Sequence, residues 1–302
     1  MPRKLSFIQY MTLLAALDLA QQKFLQVHSR LSISKSYLVI LDLLQEARDE
    51  YELCIKKPAE YQKKVDSISD MFHLRGKNRL KGDNCPVYFV GKFEDASIIM
   101  FGLNPGYSSK NNPREEHEAR QSWHHYQNLY LNFFQFIARS EFQSPYYTAL
   151  GYLLSGLLKK QYYNDGKWRL FDKYLANIEL IPYHSEGIQL PPDFSSFQLA
   201  YLTERYKVGL EFIRRYNPKL LIFNGNVWRN LLVKKLLVQV DEKVPITQKF
   251  NMYFFKLHDI PCVLFDKFFQ RHFWGISNND RYNTIPTAIH MRYPGLSKNL
   301  LM

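Results

Sequence analysis

The sequence predicts an α/β fold: a three-layer sandwich around a central, mostly parallel sheet, with a helical N-terminal region in front of it. Three observations predict this. From residue 86 onward, short β-rich runs alternate with helical patterns, and strands separated by helices favour a parallel sheet. Before that point Gly and Pro are nearly absent until Pro58, while Leu13, Leu14 and Leu17, then Ile40, Leu43 and Leu44, recur at helical spacing. Finally, 46% of the 302 residues are hydrophobic, too many for a disordered chain and enough for a substantial core.

Taken in order, residues 1–82 read as the helical region and 83–302 as the α/β domain. Glu46, Arg48, Asp49, Glu50 and Glu52 give the second long helix a solvated, mixed-charge face. Arg75, Lys77, Arg79 and Lys81, set between Gly76 and Gly82, read as a basic connection. Strands are predicted at 86–90, 96–103, 178–181, 220–223, 251–257, 261–265 and 287–291, and helices at 118–139, 145–160, 195–216 and 226–239. In sheets of this kind chemistry gathers in loops at the carboxyl ends of strands.

Composition narrows the function classes. Lys and Arg number 40 against 28 Asp and Glu, a formal charge of +12, so a polyanionic partner is expected, DNA first and an anionic membrane surface second. Asp18 interrupts the longest early apolar run, which falls short of the ~20 residues of a membrane span. The N-terminus reads as an amphipathic helix rather than a signal peptide, and no membrane partner is expected. Cys54, Cys85 and Cys262 are far apart and odd in number. They predict neither a disulfide framework nor a zinc or iron–sulfur site, and a reducing cytoplasm fits them. His117, His124 and His125 lie among Glu115, Glu116 and Glu118 but form no H-E-x-x-H pattern. No metal and no cofactor are expected.

The most informative stretch follows the apolar run Ala96–Phe101. There Gly102-Leu103-Asn104-Pro105-Gly106-Tyr107 turns the chain and holds a neutral amide at the sheet's edge. His184-Ser185-Glu186 follows the central strand, but without a G-x-S-x-G elbow it does not make a serine hydrolase. Asn224-Gly225-Asn226 opens a helix and suits either an anion or a simple cap. Lys267, Arg271, Arg281 and Arg292 stand beside Phe268, Phe269, Phe273, Trp274 and Tyr282, a mixture that suits a nucleic-acid groove.

Gly102-Leu103-Asn104-Pro105-Gly106 resembles the first motif of the uracil-DNA glycosylase superfamily, G-[ILM]-N-P-G, particularly in its mismatch-specific and single-strand-selective branches. A second family motif follows the last core strand. The predicted strand Thr287–Met291, followed by Arg292-Tyr293-Pro294-Gly295-Leu296-Ser297-Lys298-Asn299, is similar to it with one residue deleted. The resemblance spans residues 86–302 through these two motifs. It implies a monofunctional, metal-free DNA glycosylase that flips a pyrimidine out of the stack, hydrolyses its bond to deoxyribose and leaves an abasic site.

Residue by residue, the resemblance gives Asn104 the attacking water. Leu296 becomes the wedge that fills the vacated stack, and Gly295, Ser297, Lys298, Ser185 and Arg292 become DNA contacts. Tyr293 stands where the family has His or Asn to stabilise the departing base, and His290 is the alternative. Tyr107, then Trp123 and Tyr126, are the candidate stacking platforms. Glu179 stands where uracil-selective relatives read the pyrimidine edge with an Asn, and Asn177 is its neighbour.

An ionised Glu accepts hydrogen bonds only. It would welcome the amino group of cytosine and repel O4 of uracil. A modified cytosine, hydroxymethylated or glucosylated in phage DNA, is therefore the favoured target, with antiviral defence as its setting. A protonated Glu179 would restore uracil or a thymine mismatch as the substrate. The rival from another class is a catalytically silent nucleic-acid-binding module of the same fold.

Overall fold

The computed structural model describes residues 43–107, 112–138, 145–160, 167–187, 189–191, 193–267 and 276–301. The helical reading of residues 1–42 and the residues Phe268, Phe269, Arg271, Phe273 and Trp274 lie outside them. Residues 43–302 form one compact unit.

Its centre is a seven-stranded mixed sheet. The strands are β1 (Phe89–Val90), β2 (Ile98–Gly102), β3 (Leu175–Glu179), β4 (Leu220–Asn224), β5 (Glu242–Thr247), β6 (Phe250–Leu257) and β7 (Ile260–Phe265), in the order β1-β3-β2-β4-β7-β6-β5. The inner four, β3-β2-β4-β7, run parallel. β1 pairs antiparallel at one edge, and the β5–β6–β7 meander closes the other. Ile98–Phe101 and Leu220–Phe223 are buried throughout, as parallel strands covered on both faces require.

The helices are α1 (Leu43–Lys56), α2 (Pro58–Met71), α3 (Asn112–Ala119), α4 (Trp123–Leu131), α5 (Phe133–Ala138), α6 (Pro145–Leu157), α7 (Lys167–Tyr174), α8 (Ser196–Arg214), α9 (Asn226–Trp228), α10 (Ile285–Arg292) and α11 (Leu296–Leu301). Successive residues of β2 show the layering. Phe101 lies under the backbone of α8 at Gly209, whereas Met100, on the other face, takes the Tyr146 hydroxyl of α6 on its sulfur at 3.1 Å. α8 starts on a capping box in which Ser195 and Gln198 bond each other's backbone N–H groups. α9 continues as a wider π-type helix through Lys235.

Three sequence expectations change. The single helix predicted over 118–139 is three, because Ser122 takes an extended backbone and caps a new helix, accepting from the His125 N–H. β5 and α7 carried no clear periodic signal and were not expected. The predicted strand at 287–291 is part of α10: Pro286 sits in its first turn, and Ile285 and Ile289, four apart, share its buried face. Gly156 of α6 allows that helix to approach, since a side chain there would strike the Tyr282 carbonyl and the Pro286 ring.

The helices α1 and α2 are bound to the sheet by polar contacts as well as apolar ones. Tyr51 packs on Trp123 and Tyr126 at ring distances of 5.6 and 5.0 Å. Glu46 pairs with the buried Arg205 of α8, whose guanidinium lies over Tyr88. The buried Glu50 takes the Tyr183 hydroxyl at 2.9 Å from each carboxylate oxygen and pairs with Lys64 of α2. Replacing Glu50 with Ala would strand that buried hydroxyl. The expected loss is about 2–3 kcal/mol of stability, measured as a lower urea midpoint at unchanged slope.

Candidate functional site

The parallel pairing of β2 and β3 continues past both strand ends. Ile181 N–H donates to the Leu103 carbonyl at 2.8 Å, Ser185 N–H to Pro105 at 3.3 Å and Tyr107 N–H to Ser185 at 2.9 Å. The two loops thus form one rigid ledge at the carboxyl end of the sheet. Asn104 is anchored in it by its amide nitrogen, which donates to the carbonyls of Pro105 at 3.0 Å and Tyr183 at 3.1 Å and to Ser185 Oγ at 2.8 Å. Carbonyls only accept, so these partners settle which end of the amide is nitrogen. Oδ1 is left accessible, with no partner among the described residues.

Beside this amide stands Glu179, the last residue of β3, in register with Gly102. Its carboxylate lies directly over Gly102, in the space a Cβ would occupy. The glycine of the turn is therefore required by its neighbour as much as by the turn itself. Asn177, two residues back on the same strand face, donates to Glu179 Oε1 at 2.6 Å. Glu179 Oε2 and Asn177 Oδ1 are buried and have no hydrogen-bond partner among the described residues. Burial disfavours the charged form and pushes the Glu179 carboxyl up to about 7, against the opposing pull of the Asn177 hydrogen bond.

Sequence reasoning singled out the neighbours His184 and Glu115 only for other purposes. His184 is buried, and its Nδ1 lies 3.0 Å from the Gly106 carbonyl and 3.1 Å from the Asn112 amide nitrogen. Glu115 of α3 accepts the Tyr130 hydroxyl at 3.0 Å. Burial raises its carboxyl above the ordinary range, while His184 and Tyr130 oppose the shift. Its position was not legible because α3 reaches the ledge only through tertiary packing. Among the described residues, no group of three or more His, Cys, Asp or Glu side chains is placed to hold a metal ion, and no helix is long and apolar enough to cross a membrane.

Tyr107 stands at the ledge, half-buried, with Lys81 Nζ 4.9 Å from its ring centroid. Lys81 also pairs with Glu186 at 3.2 Å. Trp123 is turned to packing, stacked on Tyr126 at 5.0 Å and 18°, and the Tyr126 hydroxyl is spent on the Pro86 carbonyl. Ser185 is buried and occupied with Asn104, so its role in the ledge is to hold the amide, not the expected phosphate.

The C-terminal motif is not brought to this site. Ser97, just before β2, donates to the Leu300 carbonyl at 3.1 Å, which puts α11 at the amino end of the sheet, opposite Asn104. Leu296 is 3% exposed, too buried to wedge into a base stack. Tyr293 is buried, and its hydroxyl lies 2.7 and 3.0 Å from the Phe255 and Cys262 carbonyls of the β6–β7 pair. His290 lies on α10, half-buried, with Nε2 unpartnered and its pKa lowered chiefly by desolvation. Arg292 is taken by Asp241 at 3.0 Å and Glu242 at 3.6 Å.

Gly295 has φ +83° at the turn into α11, where Ser297 is half-buried and Lys298 exposed. A cleft of about 940 Å³ beside Tyr293, Lys219 and His258 belongs to this amino end, and none of Asn104, Tyr107, Asn177 and Glu179 lines it. The last core strand is β7, so the segment at the carboxyl end begins at Asp266. That residue is buried and accepts from the Asn251 backbone N–H at 2.9 Å and its side-chain amide at 2.7 Å.

The chain matches no protein-family model and no curated protein.

Two outcomes follow from the Gly102–Glu179 contact. A carboxyl raised on folding stabilises the protein most fully below its unfolded value, and that contribution is lost as pH rises through about 7. Glu179→Gln should therefore flatten the fall in stability between about pH 5 and 8, measured by urea denaturation across that range. Gly102→Ala should expel the flexible carboxyl rather than unfold the chain. The Glu179 titration, followed by carbon NMR, should then move down toward the ordinary carboxylate range; an unchanged midpoint would contradict the contact.

Proposed function

We propose that this protein is a monofunctional DNA N-glycosylase, of the uracil-DNA glycosylase-like kind, that hydrolyses the bond between a flipped pyrimidine and its deoxyribose and leaves an abasic site. The observation that carries the reading is the Asn104 amide, held by its nitrogen at three points with its oxygen unclaimed. A fixed, accessible amide oxygen is suited to accept from a water molecule and aim it at an anomeric carbon. It is a weak base, which suffices where the glycosidic bond breaks first and the sugar becomes oxocarbenium-like. Orientation is then the main contribution of the side chain, and the ledge supplies it in advance.

The other supports are subordinate. A +12 chain favours a polyanionic substrate. Tyr107, next to the amide and beneath a lysine, offers a face on which an extruded base could stack. The proposal rests on the first motif and its surroundings; residues 290–298 have no part in it. Glu179 at the strand end favours a cytosine-derived base, and a modified cytosine of phage DNA is a target that spares unmodified host DNA.

The test is base release from oligonucleotides carrying uracil, thymine mismatches, hydroxymethylcytosine or its glucosylated form, read as alkali-labile sites. Asn104→Ala should lower release by about 10²–10³-fold while leaving DNA affinity, carried mainly by phosphate contacts, nearly unchanged. Ser185→Ala, which frees one point of the amide, should cost about tenfold or more in rate. A wild-type protein that binds DNA and releases no base from any of these substrates would instead be a silent binding module.

A further inference from the structure

The Glu179–Asn177 pair contains more than a lone carboxylate at a strand end. One hydrogen bond joins the two side chains, from Asn177 Nδ2 to Glu179 Oε1 at 2.6 Å. What remains is two buried acceptors with nothing to accept from, Glu179 Oε2 and Asn177 Oδ1. Leaving such atoms unmade is expensive. Two remedies are available to this geometry. A ligand can bring an N–H donor to the acceptors, or Glu179 can take up a proton and become a donor itself. Residues 177 and 179 share one strand face, and register with Gly102 sets the carboxyl beside the turn that carries Asn104.

Resting on the glycosylase reading above, we infer that Asn177 and Glu179 read the 4-position of the flipped pyrimidine in a charge-dependent way. Ionised, Glu179 accepts from an exocyclic amino group. Protonated, it donates to a carbonyl. The same pair thus selects cytosine-type bases at higher pH and uracil-type bases at lower pH, and a single proton on one oxygen decides between them.

The surroundings suit such a switch. The carboxyl is shielded from water, and burial sets its midpoint at about 7, so both forms are populated near neutrality. Tyr146 and Tyr147 face it from α6, and burial holds both phenols neutral, well above the ordinary tyrosine value. Gly102 faces it from β2 with no side chain, and Asn177 on β3 does not titrate. Glu115, which acts on Tyr147, has its own carboxyl raised by burial.

The experiment separates recognition from chemistry. Single-stranded oligonucleotides carry one 2′-fluoro-deoxycytidine or one 2′-fluoro-deoxyuridine, whose glycosidic bonds resist hydrolysis. Their affinities for the full chain are compared between about pH 6 and 8, a window in which neither base changes protonation. The cytosine-to-uracil affinity ratio should rise by up to about tenfold per pH unit. With Glu179→Gln, whose amide both donates and accepts, the ratio should be flat.

A wild-type ratio that does not move with pH overturns the inference, whether or not the protein releases bases. A moving ratio without release from the hydroxymethylcytosine or uracil substrates upholds the base-reading pair and overturns the glycosylase reading instead. A ratio that still moves in Glu179→Gln assigns the proton to another group and overturns the inference as stated.

Discussion

The hydrogen bonds of the Asn104 amide nitrogen, whose two N–H groups are shared among three acceptors, are the constraint on which the site depends. They exist because the loops after β2 and β3 pair with each other beyond the sheet, which brings the Tyr183 carbonyl and the Ser185 hydroxyl within reach of a side chain 79 and 81 residues earlier. The ledge is braced from outside as well. Lys81 N–H donates to the His184 carbonyl, Val87 N–H to the Pro182 carbonyl, and Glu50 of α1 holds the Tyr183 hydroxyl. The helices in front of the sheet therefore act on the site through the backbone they steady. An amide fixed in this way has little conformational freedom left to lose in ordering a water molecule.

Polarity is concentrated where the parallel strands end. Apart from Asn177 in β3, the parallel strands are apolar along their length, and a polar residue stands at or shortly after the end of each: Asn104 after β2, Glu179 in β3, Asn224 in β4 and Asp266 after β7. Asp266 is satisfied by Asn251, whereas Glu179 keeps an unpartnered oxygen. A buried group left in that condition costs stability, and it lies at the sheet end that also carries the amide.

The amino end of the sheet shows how a short motif misleads. Pro294-Gly295-Leu296-Ser297-Lys298 reads well as a loop of DNA contacts because a turn glycine, an apolar residue and a cation are also what a helix start at a domain surface needs. Gly295 supplies a positive φ, Leu296 fills the core, and Lys298 faces solvent. The run before it has β-branched residues at 285, 287 and 289, yet Ile285 and Ile289 are spaced for a helix and the chain takes that form against Gly156. Local pattern favoured a strand; packing against α6 favoured the helix.

By itself the sequence determined the α/β class, the apolar runs of the central strands, a long helix over about 195–216 and the turn that carries Asn104. Each of these is written in nearest-neighbour terms: hydrophobic runs, helical spacing, a Gly-Leu-Asn-Pro-Gly order. Only the tertiary structure decided which way the Asn104 amide faces, that Gly102 must be bare because Glu179 lies over it, that Ser185 serves the amide, and that Tyr293 and Leu296 belong to the opposite end of the sheet. The physical reason is common to all four: each depends on hydrogen bonds or contacts between segments far apart in the chain, and no local periodicity records which partner a side chain meets once the strands are ordered.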